Sequence, residues 1–206
     1  MDKPVLIGTS NPHKLSMLQR ILRRAHLPWT TLADVFGKQV PDVQETGSTF
    51  IENAQIKARE LSKQYHGYVV ATDGGMAIPG LGDAWNGLYT RRFAGEGATD
   101  DDRVYKILDL AKDLPDDRRK MQWQEAYAIA RDGKIVDSAT CDGPWGTLTR
   151  EYDPHKYKPG IWLCSLWYVD SFGKHFFDLT PEEREQHATS WNEIEACVSR
   201  YFASLS

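Results

Sequence analysis

The feature that most constrains the fold lies near the start of the chain, where a short apolar run is followed at once by a capped amphipathic helix. Residues 4–8 (PVLIG) have the composition of a buried strand. Asn11 can cap the next helix, Pro12 suits its first position, and apolar side chains recur at helical spacing as far as Ala25. A strand, a tight polar turn and a helix make up the βα unit of an α/β fold.

The rest of the chain continues this alternation of strands and helices. Strands are predicted at residues 29–35, 68–72, 121–130, 134–149 and 161–169, and helices begin near capping sequences at residues 49, 99, 180 and 190. An Asp-Gly pair at residues 132–133 indicates a hairpin. Because no repeat, low-complexity segment or linker interrupts the pattern, we predict a single α/β domain over residues 1–206, with a β-rich part at residues 110–170.

The composition excludes several classes of protein. Lys and Arg number 25 against 29 Asp and Glu, and the formal charge of −4 is spread along the chain. A nucleic-acid or membrane-surface binder would show a basic excess, so neither partner is expected. No window approaches a membrane span, and the three cysteines contain no C-x-x-C pair that would suggest a disulfide framework or a zinc site. A cytoplasmic protein is the expectation.

Residues 9–14 (TSNPHK) form a turn that could hold phosphate groups. A strand-to-helix turn directs backbone N–H groups and the positive end of a helix to one point, and Lys14 adds a point charge. The alternative is a well-capped helix with a solvated lysine. The standard phosphate-loop, dinucleotide, zinc-protease and serine-hydrolase motifs are absent from the sequence, which disfavours those enzyme classes.

Two acidic residues from separate segments could form a cation site. Asp73 follows a predicted strand, where α/β sheets place their ligands, and Glu45 precedes the helix that carries Asn53 and Lys57 on one face. Two carboxylates that meet at a strand end are typical of a Mg²⁺ site that also binds substrate phosphates. Helix capping and surface charge are the alternative explanation, since spacing alone does not show that the two residues meet.

A glycine-flanked loop at residues 86–95 (NGLYTRRFAG) carries two arginines. Arginine at such a place could reach a phosphate, although a solvated loop is an equally natural interpretation.

Taken together and in order, these segments resemble the inosine triphosphate pyrophosphatases, also called the Ham1 or RdgB-type nucleoside triphosphate pyrophosphatases. TSNPHK is similar to the family's T-G-N-x-x-K loop, and residues 45–59 (ETGSTFIENAQIKAR) are similar to its E-T-G-x-[ST]-F-x-E-N-A-x-x-K-A segment. TDGG at residues 72–75 stands where the family has D-D-S-G, and GLYTRRFAG at residues 87–95 corresponds to G-x-Y-S-A-R-[YF]-[AS]-G. The resemblance runs from about residue 4 to about residue 150.

The resemblance implies a mixed central sheet flanked by helices, with two lobes and an active-site cleft between them. It also implies a homodimer that hydrolyses a nucleoside triphosphate to the monophosphate and pyrophosphate with Mg²⁺ or Mn²⁺. By match, Glu45 and Asp73 would hold the metal, and Asp73 would act as the base for the attacking water. The implied catalytic set is Asp73, Glu45, Lys57 and Asn53. The predicted substrate-binding set is Thr9, Ser10, Asn11, Lys14, Gly74 and Arg92, together with Trp162 and Arg184 from the region where the resemblance weakens.

The resemblance weakens where the family reads a deaminated purine. Residues 161–165 (IWLCS) replace the family's F-G-[YW]-D-P, Arg184 replaces a lysine, and residues 188–190 (ATS) replace S-H-R. Trp162, Trp167 and Trp191 could supply stacking surfaces there, although a core position is expected for at least two of them. We therefore expect a pyrophosphatase that removes deaminated purine nucleotides but has an altered base preference. The alternatives are a hydrolase of a different modified nucleotide and a non-catalytic nucleotide-binding protein.

Overall fold

The computed structural model describes residues 3–90 and 93–205, and its β-strands form one mixed sheet. The strands are β1 (Val5–Ile7), β2 (Trp29–Thr31), β3 (Tyr68–Ala77), β4 (Lys120–Arg131), β5 (Lys134–Leu148), β6 (Trp167–Val169) and β7 (Lys174–His175). Their order in the sheet is β2-β1-β3-β4-β5-β6-β7. β1 runs parallel to β2 and β3, whereas β6 runs antiparallel to β5 and β7. The predicted α/β class with a mixed sheet is confirmed.

The helices are α1 (Pro12–Arg24), α2 (Leu32–Phe36), α3 (Phe50–Tyr65), α4 (Asp100–Ala111), α5 (Pro181–His187) and α6 (Thr189–Ala203). At the start of α1 to α5, a polar side chain accepts a backbone N–H group of the first turn. The capping sequence predicted at residue 190 lies inside α6, which begins at Thr189. Thr99 and Thr180 form complete capping boxes at α4 and α5, as their sequences predict. Among residues 3–90 and 93–205, no helix combines the length and apolar character that a bilayer crossing requires.

The chain divides into two compact units. The first comprises Met1–Gly74, Glu125–Cys141 and Ser190–Ser206, and the second comprises Gly75–Gln124 and Asp142–Thr189. The first unit has one core cluster of alanines from α3, β3 and β4 and another that includes Leu6, Leu61 and Val69. A core cluster of the second unit contains three tryptophans, Trp85, Trp162 and Trp167, among its buried members. The single domain and its β-rich part at residues 110–170 stay predictions, as does the cleft.

The predicted strand at residues 29–35 is wrong beyond Thr31, where α2 begins. Thr31 Oγ1 accepts the N–H of Asp34 at 3.2 Å, and the Asp34 carboxylate accepts the N–H of Thr31 at 3.1 Å. This reciprocal pair satisfies backbone donors at a helix start and favours a helical turn over an extended chain. The strand predicted at residues 68–72 is too short, because β3 continues through Asp73 to Ala77.

The predicted strand at residues 161–169 is correct only for its last part, β6. Before it lies a short 3₁₀ helix at Trp162–Leu166, in which every residue is buried. The Cys164 N–H donates to Ile161 O at 2.9 Å, and the Ser165 hydroxyl donates to Trp162 O at 2.6 Å. A continuous apolar run is compatible with either conformation because it has no period-two pattern, so the sequence could not distinguish them.

Candidate active site

The first turn of α1 is built by hydrogen bonds from the polar residues before it. Asn11 Oδ1 accepts the backbone N–H groups of His13 at 2.9 Å and of Lys14 at 3.2 Å, and Thr9 Oγ1 accepts the N–H of Asn11 at 3.2 Å. The predicted cap is confirmed, and Ser10 is exposed beside it. Because Asn11 occupies two of the first-turn N–H groups, the Lys14 ammonium is the charged donor that this turn brings to the site.

Lys14 is a buried cation surrounded by carboxylates. Its Nζ lies 3.0 Å from Glu125 Oε1 and 3.8 Å from Asp73 Oδ1. Burial lowers the pKa of Lys14, but the carboxylates of Glu125, Asp73 and Glu45 outweigh it, so the net effect raises the pKa above its usual value. The side chain therefore stays an ammonium throughout the neutral and mildly alkaline range.

Lys57 brings together the two carboxylates that the sequence predicts to form a cation site. Its Nζ lies 3.2 Å from Glu45 Oε1 and 3.1 Å from Asp73 Oδ1. Lys57 and Asp73 are largely buried, whereas Glu45 is partly open to solvent, with 41% of its side chain exposed. Glu45, from a loop, and Asp73, from β3, therefore meet at one ammonium on α3.

Asn53 holds the loop that carries Glu45. The Asn53 side chain is only 3% exposed, and its Oδ1 accepts the Gly47 N–H at 2.8 Å. A Cβ at Gly47 would lie 2.7 Å from Asn53 Oδ1 and 2.7 Å from Glu52 Cβ, so only glycine fits there without a shift. Glu52 fixes the next residue by accepting the Ser48 N–H at 2.6 Å. Asn53 therefore contacts the backbone of the loop that carries Glu45, and its predicted catalytic role stays a prediction.

Gly74 and Arg92 are two further residues predicted to bind the substrate. Gly74 follows Asp73 within β3 and is partly exposed. Arg92 lies outside the described residues, so its predicted role in phosphate binding stays a prediction.

The other predicted substrate-binding residues, Trp162 and Arg184, belong to the second unit. Trp162 is 6% exposed, and Trp167 and Trp191 are 3% and 4% exposed, which agrees with the core position expected for most of these tryptophans. Arg184 donates a hydrogen bond to Phe177 O at 2.9 Å. The roles of Trp162 and Arg184 in base recognition stay predictions.

Sequence reasoning missed Glu125, which stands at the start of a buried run of six residues in β4. Its side chain is fully buried. The Lys14 ammonium lies closer to Glu125, at 3.0 Å, than to Asp73, at 3.8 Å. A signal was available in the sequence, because a charged residue inside an apolar strand must find a partner of opposite charge. The sequence does not name that partner, which lies more than a hundred positions away along the chain.

The carboxylates of Glu45 and Asp73 suit a hard divalent cation. Within the described part of the chain, no group of three or more His, Cys, Asp or Glu side chains is arranged to hold a metal ion by itself. Mg²⁺ is commonly held by one or two carboxylates, with water and substrate phosphates completing its shell. Both carboxylates already face one cation, the Lys57 ammonium, so the donor set fits such an ion without a larger protein cage.

Comparisons with known proteins all lead to one family. The model of the Ham1 family matches residues 5–190. A dITP/XTP pyrophosphatase of Escherichia coli K12 is 34% identical over 189 residues, covering 87% of this chain and 88% of the relative. A dITP/XTP pyrophosphatase of Thermoanaerobacter is 33% identical over 189 residues, with 88% of each chain covered.

A solved structure shares the same fold. The structure of a HAM1 protein from Coxiella burnetii superposes with a TM-score of 0.80 at 28% identity, covering 95% of this chain and 98% of that one. A match over 95% of the chain extends into both units.

Proposed function

The chain belongs to the Ham1 family, and on that premise we propose that it hydrolyses a nucleoside triphosphate to the monophosphate and pyrophosphate. One observation carries the proposal: the Lys57 ammonium contacts both Glu45 and Asp73, while Lys14 lies 3.8 Å from the same Asp73 oxygen. Two carboxylates and two ammonium groups thus converge in one place. Phosphoryl transfer depends mainly on such positioned charges and on an oriented water.

Each group has a role that follows from its charge and contacts. Glu45 and Asp73 would hold Mg²⁺ or Mn²⁺, which supplies charge neutralisation for the phosphate oxygens when it is bound. Lys14 and Lys57 bind the polyphosphate as cations, and Arg92 is proposed to assist them. Asn53 keeps the Glu45 loop in place through Gly47.

The proposed reaction takes place at the α-phosphorus. Asp73 accepts a proton from a water molecule, and the water oxygen forms a new bond to the α-phosphorus. The bond from that phosphorus to the oxygen bridging to the β-phosphorus breaks, and pyrophosphate leaves with the electron pair. No covalent bond to the protein is needed, which agrees with a site built from carboxylates and ammonium groups.

We also propose that the substrate is a deaminated purine nucleotide, because the relatives are named for dITP and XTP. An altered base preference is proposed because residues 161–165, Arg184 and residues 188–190 differ from the family's base-reading segments. Removing hydrogen-bonding partners from such a pocket changes discrimination strongly.

A panel assay tests the proposed function. The protein would be incubated with Mg²⁺, and separately with Mn²⁺, and with dITP, XTP and the standard nucleoside triphosphates, while pyrophosphate and monophosphate are measured. We expect pyrophosphate from at least the deaminated substrates. Release of orthophosphate and a nucleoside diphosphate would show cleavage at the terminal phosphate instead of the α-phosphorus. If no substrate is turned over, the alternative of a non-catalytic nucleotide-binding protein is favoured.

An Asp73→Asn variant is the control for the assay. Its side chain has the same shape but cannot accept the proton, so we expect turnover to fall by at least about 100-fold. Thermal unfolding should show that the variant still folds. Gel filtration with light scattering on the same samples tests the proposed homodimer.

A further inference from the structure

Glu125 is a buried carboxylate that the proposed chemistry does not yet use. It lies in β4 with none of its surface exposed, ahead of a run that includes Ala126, Ala128 and Ala130. An ionised carboxylate in such surroundings is costly unless an opposite charge contacts it. The nearby cation is Lys14, whose Nζ lies 3.0 Å from Glu125 Oε1.

Lys14 connects Glu125 to the proposed base. The ammonium lies 3.0 Å from Glu125 and 3.8 Å from Asp73 Oδ1, and the same Asp73 oxygen lies 3.1 Å from Lys57. Lys57 in turn lies 3.2 Å from Glu45. Carboxylates and ammonium groups therefore alternate from the buried end of the site at Glu125 to the more exposed end at Glu45.

This order of contacts separates the two lysines. Lys57 is shared by Glu45 and Asp73, the two carboxylates proposed to hold the metal. The closer of the two carboxylate contacts of Lys14 is with Glu125, which has no part in metal binding in the proposed function. An ammonium group has three donors, so Lys14 can contact Glu125 and still direct a donor toward Asp73 or a phosphate.

We infer that Glu125 is a positioning residue of this site, which holds the Lys14 ammonium beside Asp73 so that the polyphosphate meets a cation already in place. The inference rests on the proposed function for the identity of the ligand. A cation fixed before the ligand arrives needs no reorganisation when charge develops, which is the physical benefit of the arrangement. A purely structural Glu125 would instead stabilise the fold without affecting what Lys14 does.

A double-mutant cycle distinguishes these two roles. Glu125→Gln, Lys14→Met and the double variant would be compared for kcat and KM with dITP, and for the Kd of its α,β-methylene analogue in the presence of Mg²⁺. Residues that orient the groups of a metal site typically contribute about 10- to 100-fold, so we expect a loss of that size in kcat/KM for Glu125→Gln. The same loss should disappear when Lys14 is already Met, because Glu125 acts through Lys14.

Glu60→Gln is the matched control. It removes the carboxylate of another Glu–Lys pair, in which Lys63 Nζ lies 2.6 Å from Glu60 Oε1, on an exposed part of α3. Its kcat/KM and Kd should equal those of the wild type. If Glu125→Gln does not fold, Glu125→Asp keeps the charge but withdraws the carboxylate by one methylene, and the same loss is expected.

Two results would overturn the inference. One is a wild-type kcat/KM and Kd in the folded Glu125 variant, and the other is a loss that persists unchanged in the Lys14→Met background. If the wild type releases no pyrophosphate, the proposed function fails separately, and the cycle of Kd values still decides whether Glu125 acts through Lys14.

Discussion

Replacing Asn53 by alanine should detach the loop that carries Glu45 without touching Glu45 itself. The substitution removes the acceptor of the 2.8 Å hydrogen bond from the Gly47 N–H. Asn53 is 3% exposed but Gly47 is partly exposed, so the donor that is left behind is only partly shielded from water. The loop then keeps the contact of Ser48 with Glu52 but loses its attachment at Gly47.

The size of the effect follows from the partial burial of this hydrogen bond. A fully buried donor left without a partner costs about 1 to 3 kcal/mol, and that range is the upper limit for the part-buried Gly47 N–H. When that cost falls on docking the loop, the apparent affinity for the metal–nucleotide complex weakens by about 5-fold to at most about 150-fold. The loss should appear mainly in KM, because Asp73 and Lys57 keep their own contact at 3.1 Å.

Steady-state kinetics and urea unfolding of Asn53→Ala would measure both effects. Asn53→Asp is the matched variant, since a carboxylate oxygen can still accept the Gly47 N–H and should restore part of the loss. Equal, wild-type-like KM values for the alanine and aspartate variants would refute the reasoning that Asn53 acts by holding the loop.

Three further predictions concern the second unit. Burial lowers the pKa of His187 to about 4, whereas the same side chain in the unfolded protein binds a proton near pH 6.5. The free energy of unfolding should therefore fall by at most about 3 kcal/mol as the pH is lowered from 6.5 to 4. Urea titrations should show a flatter pH profile for His187→Phe. Arg119 is 2% exposed and donates hydrogen bonds to the carbonyls of Leu148, Thr149 and Ala111. Arg119→Met leaves these carbonyls unpaired, so the free energy of unfolding in urea should fall by more than about 3 kcal/mol. Trp162→Ala should lower the free energy of unfolding by about 3 to 5 kcal/mol. If the ratio of kcat/KM values for dITP and dATP does not change in this variant, Trp162 has a core role only.

Local signals predicted the parts of the fold whose stability depends on neighbouring residues. The caps at Asn11, Thr99 and Thr180 act within three residues, and α1, α4 and α5 begin where their capping sequences indicate. The prediction failed where a short local interaction competed with an apolar run, as at Thr31, where Asp34 closes a capping box. It also failed at residues 161–166, because burial on all sides removes the periodicity that separates a strand from a helix.

The candidate site was predictable in its residue types but not in its contacts. The motif around residues 45–59 and the position of Asp73 named both carboxylates, yet their meeting at Lys57 depends on how a loop, a helix and a strand pack. The contact of Lys57 with Asp73 spans only 16 positions, whereas that of Lys14 with Glu125 joins α1 to a strand far along the chain. No local pattern encodes the second contact.

The sequence by itself determined the α/β class, the starts of α1, α4 and α5, and a set of acidic and basic residues typical of polyphosphate chemistry, because propensity, capping and motif spacing act over a few residues. Only the tertiary structure decided which charge faces which. In the fold, Glu125 contacts Lys14, and Asn53 accepts a hydrogen bond from the Gly47 N–H of the loop that carries Glu45. The physical reason is that a buried charge must be compensated by whatever the fold brings beside it, and that neighbour is set by packing between distant segments rather than by distance along the chain.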